Sequence, residues 1–179
     1  MTVKGLNAFS LNTADDKPGL VLLNTTSFSA VASQSVNNVF TSTYDNYLIV
    51  LECNAASGNY VNFRLRVGGV DASGSNYDWG MVNVTNGAAA FQLAGSGATS
   101  ANICRPSATG RSMTSFTICN PAIARPTVFS GTLSYNDGAT IAIAGGMGGT
   151  HSLSTAYDGF TLIHATSITG SVSVYGQNK

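Results

Sequence analysis

The sequence predicts an all-β protein: an antiparallel β-sandwich, jelly-roll-like, with an extended N-terminal arm. Three observations carry that prediction. Charged residues make up only 9% of the 179-residue chain, and Glu occurs once, at Glu52. An average soluble domain has about 25% charged residues, and without Lys, Glu and Arg the chain lacks good helix formers. Second, several stretches alternate apolar and polar residues with the two-residue period of a half-buried strand. Third, Gly, Asn and Asp clusters separate these stretches, giving about eight to ten short strands and no helical pattern.

Residues 1–27, MTVKGLNAFSLNTADDKPGLVLLNTTS, read as an extended arm with a turn at Asp15–Gly19 and a short apolar run at Leu20–Leu23. Two readings stay open: an arm that docks on a neighbouring subunit, or a first strand behind a frayed terminus. The body is expected at 28–179. FSAVASQSVNNVF (28–40) is a weak strand. In the next, Tyr47, Ile49, Leu51 and Cys53 share one side and Leu48, Val50 and Glu52 the other, so both faces are largely apolar. After a turn at 55–59, Val61, Phe63, Leu65 and Val67 point in while Asn62, Arg64 and Arg66 point out. A loop at 69–76 leads into YDWGMVNV. Residues 85–112 show no sustained period and predict long loops around one short strand at Phe91–Leu93. SMTSFTICNPA is a strand with Phe116 and Ile118 inward. A hairpin is expected around Asn136-Asp137-Gly138, then a Gly-rich loop over 144–159. FTLIHATS and ITGSVSVYG close the body, with Ile168, Gly170, Val172 and Val174 on one side.

Charge and motif content exclude several functions. Eight basic and eight acidic residues give a net charge of zero, so no basic stripe exists to track phosphates and no nucleic acid is expected as a partner. A weakly charged surface is poorly protected against association, which points to a chain that works inside an assembly. No apolar run is long enough for a membrane helix, and MTVKGLNAFSLN lacks the apolar stretch of a signal peptide. The three cysteines, Cys53, Cys104 and Cys119, read as buried reduced thiols; one bridge plus a free thiol is the alternative. His151, after a Gly-rich stretch, is expected exposed, and His164, within a strand, buried. Neither lies at metal-ligand spacing. No G-x-S-x-G elbow is present, one Glu cannot make a glycosidase pair, and GGMGG (145–149) lacks the Lys-Ser/Thr of a phosphate loop. The chain is therefore expected to be no enzyme and to use no cofactor or metal.

Two sets of residues remain as candidate contacts. Arg64 and Arg66 protrude from one side of one strand. They either coat a solvated face or reach an acid such as Asp45, Asp78 or Asp158 across a subunit interface. Tyr77 and Trp79 belong to a set of rings, with Tyr44, Tyr47, Tyr60 and Tyr157, at strand ends and loop mouths. Such rings either stack on sugars or cap sheet edges with the hydroxyl outward.

The stretches VFTSTYDNYLIVLECNAASGNYVNFRLRVGG, SNYDW and YDGFTLIHATSITGSVSVYG resemble structural proteins of tailed-bacteriophage virions. The resemblance covers residues 36–83 and 157–176 and leaves 84–150 unmatched. It implies a β-sandwich module of a head decoration, head fibre or tail fibre, commonly trimeric, made in the host cytoplasm and located in the virion, with no catalytic residues. Within it, a capsid decoration (cement or head-fibre) protein bound to the major capsid protein or other virion proteins is the first expectation. A tail-fibre module that recognises a host surface glycan is the alternative. The short chain, which reads as complete without shaft repeats, the arm and the modest aromatic content favour decoration.

Overall fold

Alternation becomes burial along most of the chain in the computed structural model, which describes residues 19–55, 57–107, 110–136 and 142–177. Among the described residues there are eleven strands and no helix. They are β1 (Leu20–Val36), β2 (Asn46–Ala55), β3 (Val61–Val67), β4 (Val70–Asp71), β5 (Tyr77–Thr85) and β6 (Phe91–Ala98), then β7 (Ala101–Cys104), β8 (Ser112–Cys119), β9 (Thr127–Asn136), β10 (Ala142–His151) and β11 (Gly159–Gln177). In β2, Tyr47, Ile49, Leu51 and Cys53 are buried and their neighbours are not. In β3 the buried set is Val61, Phe63 and Leu65, while Val67 is exposed.

All pairings are antiparallel, and the strands form one sheet in the order β4-β3-β11-β2-β8-β9-β10-β5-β6. β7 adds to β3, and β1 runs along β11. The long β11 makes the sheet curl. Its first part, Gly159–Ile163, pairs with β3; its second, Ile168–Gln177, pairs with β2. β1 follows both parts, with register shifts at Leu22/Asn24, Phe28/Val31 and Val31/Ser33. Such bulges bend a strand and raise its twist. At one of them Ala30 has a φ of 53°, and its N–H, displaced from the ladder, donates to Thr169 Oγ1 at 3.0 Å.

The curl brings the inner faces together around Phe63. Its ring lies 5.5 Å from Phe116 of β8, 5.9 Å from Phe129 of β9 and 5.6 Å from Phe160 of β11. Gly131 of β9 is part of the same fit: a Cβ there would stand 2.1 Å from the Ser115 carbonyl oxygen and 2.4 Å from the Phe116 Cβ. Only a glycine lets β9 lie this close to β8.

Three expectations change. Of the two readings of residues 20–27, the strand is the one seen: they form the first half of β1, paired from Leu20↔Gln177 to Phe28↔Gly170, so the described body begins near residue 19 rather than 28. The pairing partner lies some 150 residues away, beyond the reach of a local pattern. Residues 1–18, including most of the expected turn at 15–19, lie outside the described residues. The Gly-rich loop at 144–159 is instead strand as far as His151, held by complete ladders to β9 and β5. Pairing on both edges overrides the poor strand preference of glycine, whose missing side chains hide the alternation. Residues 85–112 hold β6 and β7 rather than one short strand between loops. β9 and β10 do pair as the expected hairpin, starting at Asn136↔Ala142, while 137–141 lie outside the described residues.

Candidate interaction face

The inner face of the sheet is core; the outer face of β8, β9, β10, β5 and β6 is open. Residues directly opposite in an antiparallel ladder share a face, so the register lays out this surface row by row. One row reads Ser130, Gly148, Gly80, Ala94 across β9, β10, β5 and β6. The next reads Thr132, Gly146, Val82, Gln92. These rows floor a trough of about 890 Å³. A second trough of about 440 Å³ continues past Met113 toward Val50 and the exposed Glu52–Arg111 ion pair. An ion pair so exposed adds little stability.

The face is nearly free of charge and mixes hydroxyl and amide residues, such as Ser115, Ser130, Thr132 and Gln92, with apolar ones. Val82, Val84, Val128 and Met113 stand on it more than half exposed, at 55%, 57%, 53% and 54%. Asp78, at one end of β5, is the one acid among these outward positions. Its carboxylate accepts from the Gly97 N–H at 2.9 Å. That bond, with the Ser96 hydroxyl, holds it below its ordinary pKa.

The structure places the predicted contact residues elsewhere. Arg66 is used inside its own chain: Nε donates to Asn37 Oδ1 at 3.0 Å, Nη1 to Thr161 Oγ1 at 2.7 Å, Nη2 to the Gly69 carbonyl, and the guanidinium pairs with Asp71. Thr161 Oγ1 in turn donates to Asp71 Oδ1 at 2.6 Å. The network ties the β3–β4 turn to β11, and the arginine is only 13% exposed. Arg64 Nε donates to the Thr99 carbonyl at 2.9 Å and so tethers the β6–β7 link. Within the chain, Arg66 thus has an acid partner in Asp71, while among the described residues Arg64 meets only the neutral Thr99. Asp71 was legible as the partner: V-G-G-V-D is a tight hairpin that sets it opposite Arg66. Asp158 is likewise engaged, its Oδ2 accepting from the Gly68 N–H at 2.8 Å.

Tyr77 and Trp79 do not form a sugar platform. Both lie on the inner side of β5. Tyr77 is fully buried; its hydroxyl accepts from the Leu65 N–H and donates to the Ala72 carbonyl, each at 2.9 Å. Burial pushes its pKa up. Trp79 is half-buried, packs against the core, and lies over Gly95 of β6 with its indole N–H out of water. Tyr47 has the same structural role as Tyr77, bridging the Thr41 N–H and carbonyl at 2.6 Å. Tyrosines at strand ends here close the sheet.

His151, expected exposed, is fully buried. Its Nδ1 lies 3.1 Å from the Tyr157 hydroxyl, and the Tyr77 ring centroid is 4.4 Å from its own. It ends β10 in register with Thr127 and Tyr77. His151 Nε2 and Thr127 Oγ1 are both buried without a protein partner among the described residues. Burial lowers the pKa of the imidazole. The unfolded chain, with a histidine pKa of about 6.5, therefore binds more protons than the folded one on acidification. Stability is full above that pH and falls as the pH drops from about 6.5 through the lower folded pKa. Urea unfolding at about pH 7 and pH 5 is expected to show this loss in the wild type and a smaller loss in His151→Gln. Equal losses in the two proteins contradict the assignment.

His164 is buried as expected. The Thr166 N–H donates to its Nδ1 at 3.2 Å, so Nε2 carries the proton given to the Asn59 carbonyl at 3.1 Å. All three cysteines are free thiols. Cys53 and Cys104 are buried as expected, whereas Cys119 is exposed at the end of β8. The Cys104 thiol is pushed well up, first by its hydrogen bond with Cys53 and then by burial. Among the described residues no group of three His, Cys, Asp or Glu is placed to hold a metal ion, and no helix is long and apolar enough to cross a membrane.

Comparison of the chain with protein-family models, with curated proteins and with solved structures found no match.

Proposed function

We propose that the chain is a structural protein of a tailed-bacteriophage virion: a non-enzymatic capsid decoration protein, of the cement or head-fibre kind. In this reading it works as a homotrimer on the shell built by the major capsid protein. One observation carries the reading. The stretches that resemble virion proteins are far apart in sequence, yet 39–69 spans β2 and β3 and 157–176 spans nearly all of β11. β11 is hydrogen-bonded to both β2 and β3. The two long stretches thus fall on three adjacent strands, as a shared structural unit would, while the short SNYDW opens β5 farther along the sheet. A jelly-roll-like sandwich is the finer form proposed for the body, supported by the ring contacts that bring β3 over β8 and β9.

The role is mechanical. The body supplies a stiff antiparallel sheet with a phenylalanine core and a neutral outer face, and in a closed three-fold ring one patch of each subunit meets a different patch of the next. Residues ahead of β1 serve as the attachment segment. The glycan-binding alternative loses its named residues, since Tyr77 is buried and Trp79 faces inward.

Deleting residues 1–19 tests the attachment. β1 starts at Leu20, so the deletion leaves every described strand whole. The truncated chain is expected to fold with an unchanged melting temperature and to stop co-sedimenting with capsids. Co-sedimentation equal to that of the full chain overturns this role for the segment.

A further inference from the structure

Two outward glycines, Gly80 of β5 and Gly146 of β10, have no explanation inside the chain, unlike Gly148, where a Cβ would stand 3.2 Å from the Phe129 carbonyl oxygen. A Cβ on Gly80 would meet nothing within 4 Å, and one on Gly146 only the Gly131 carbonyl oxygen at 3.8 Å. Neither residue has a positive φ. Glycine weakens a strand interior, so the fold alone would be served better by almost any side chain at these two positions. Inward glycines are different: at Gly145 and Gly149 a Cβ would lie 2.3 Å and 2.4 Å from backbone oxygens. The bare outer floor is therefore a property of the surface, not of the packing beneath it. A surface gains from bare backbone when another surface must come close.

We propose that this face is the interface by which copies of the chain associate, and that its occupant is the same face of a second copy. The proposal goes beyond the homotrimer of the reading above: two copies of one face meet as an isologous two-fold pair, whereas a three-fold ring joins two different patches. Three features select a second copy. The face carries both halves of a fit: a ridge of exposed Val82 and Val84, and beside it the trough over Gly80 and Gly146 that such a ridge fills. It is neutral, so identical faces do not repel, and the Asp78 carboxylate is already held by Gly97 and Ser96. A nucleic acid or other charged partner finds nothing to pair with. Its size also suits. Five strands about 4.8 Å apart and about seven residues long at about 3.3 Å each project on the order of 550 Å². Side chains standing off that plane bring the accessible area toward the roughly 800 Å² per partner of a stable interface. Stacked sheets pack face to face about 10 Å apart, and glycine rows allow that approach without displacing side chains.

The test is the molar mass of the purified full chain by light scattering at micromolar concentration. The wild type is expected to be an oligomer. Gly146→Lys, which has room for its Cβ, is expected to keep the far-UV spectrum and melting temperature of a folded body and to associate at least tenfold more weakly. Val70→Lys adds the same charge at a residue 68% exposed on β4, off this face, and is expected to associate as the wild type does. A monomeric wild type, or a folded Gly146→Lys that assembles like the wild type, overturns the proposal. Because no particle is present, the result is separable from the virion reading. Self-association through this face with no binding to capsids would sink that reading and leave this one standing.

Discussion

Phe63→Ala is expected to cost about 3–5 kcal/mol of folding stability, the range for truncating a buried aromatic ring. Phe63 is fully buried, and its ring touches rings from β8, β9 and β11. β3 is hydrogen-bonded to β11 but not to β8 or β9. Side-chain packing alone therefore closes the curl at this point, and no backbone ladder compensates when the ring is lost. Domains of this kind have about 5–15 kcal/mol in total, so the variant should melt lower by on the order of 10 °C. Urea unfolding with an unchanged slope gives the number. A loss below about 1 kcal/mol would mean the curl is held elsewhere.

The second large effect is a contrast between two glycines on neighbouring strands. Gly131→Val is expected to destabilise by about 3 kcal/mol or more, the upper end for overpacking, because its Cβ would meet the Ser115 carbonyl oxygen at 2.1 Å and the Phe116 Cα at 2.5 Å. Backbone atoms in a paired ladder cannot step aside. Gly146→Val, one strand over and facing outward, is expected to be neutral or to gain up to about 1 kcal/mol in the isolated body, as a strand residue replaces glycine. Thermal melts of the two variants under conditions that keep the chain monomeric decide it. Similar losses in both would show that the outer glycines are needed by the fold, and would remove the physical ground for reading them as an interface.

Much of the sheet was legible because its strongest strands carry their own pattern. β2, β3 and the end of β11 alternate cleanly, and their buried residues follow the alternation except at Val67, which is exposed where β3 runs into its turn. Two kinds of information were not local. The second half of β1 reads as a weak strand, but residues 20–27 are fixed as strand only through β11, and their hydroxyl-rich sequence looks like an arm until Thr25 Oγ1 and Ser173 Oγ are seen 3.0 Å apart across the ladder. β10 hides its period because alternate positions are glycine on both faces, for opposite reasons: steric need inward, smoothness outward. The candidate residues fared worse. Arg64, Arg66 and Tyr77 are polar groups on a sheet, and the sequence does not say whether such a group reaches out or bonds back to its own chain. All three bond back. The face that remains as the candidate has no distinctive residue type. It is defined by what is missing from it, which only the register of four ladders reveals.

The proposed virion role is tested most directly by immunogold labelling of phage particles purified from the cells in which the chain is made, with antibody raised against residues 20–177. The account predicts gold on the capsid shell, lost in particles made with the 1–19 deletion. Particles that carry no label while the protein accumulates in the lysate would contradict it.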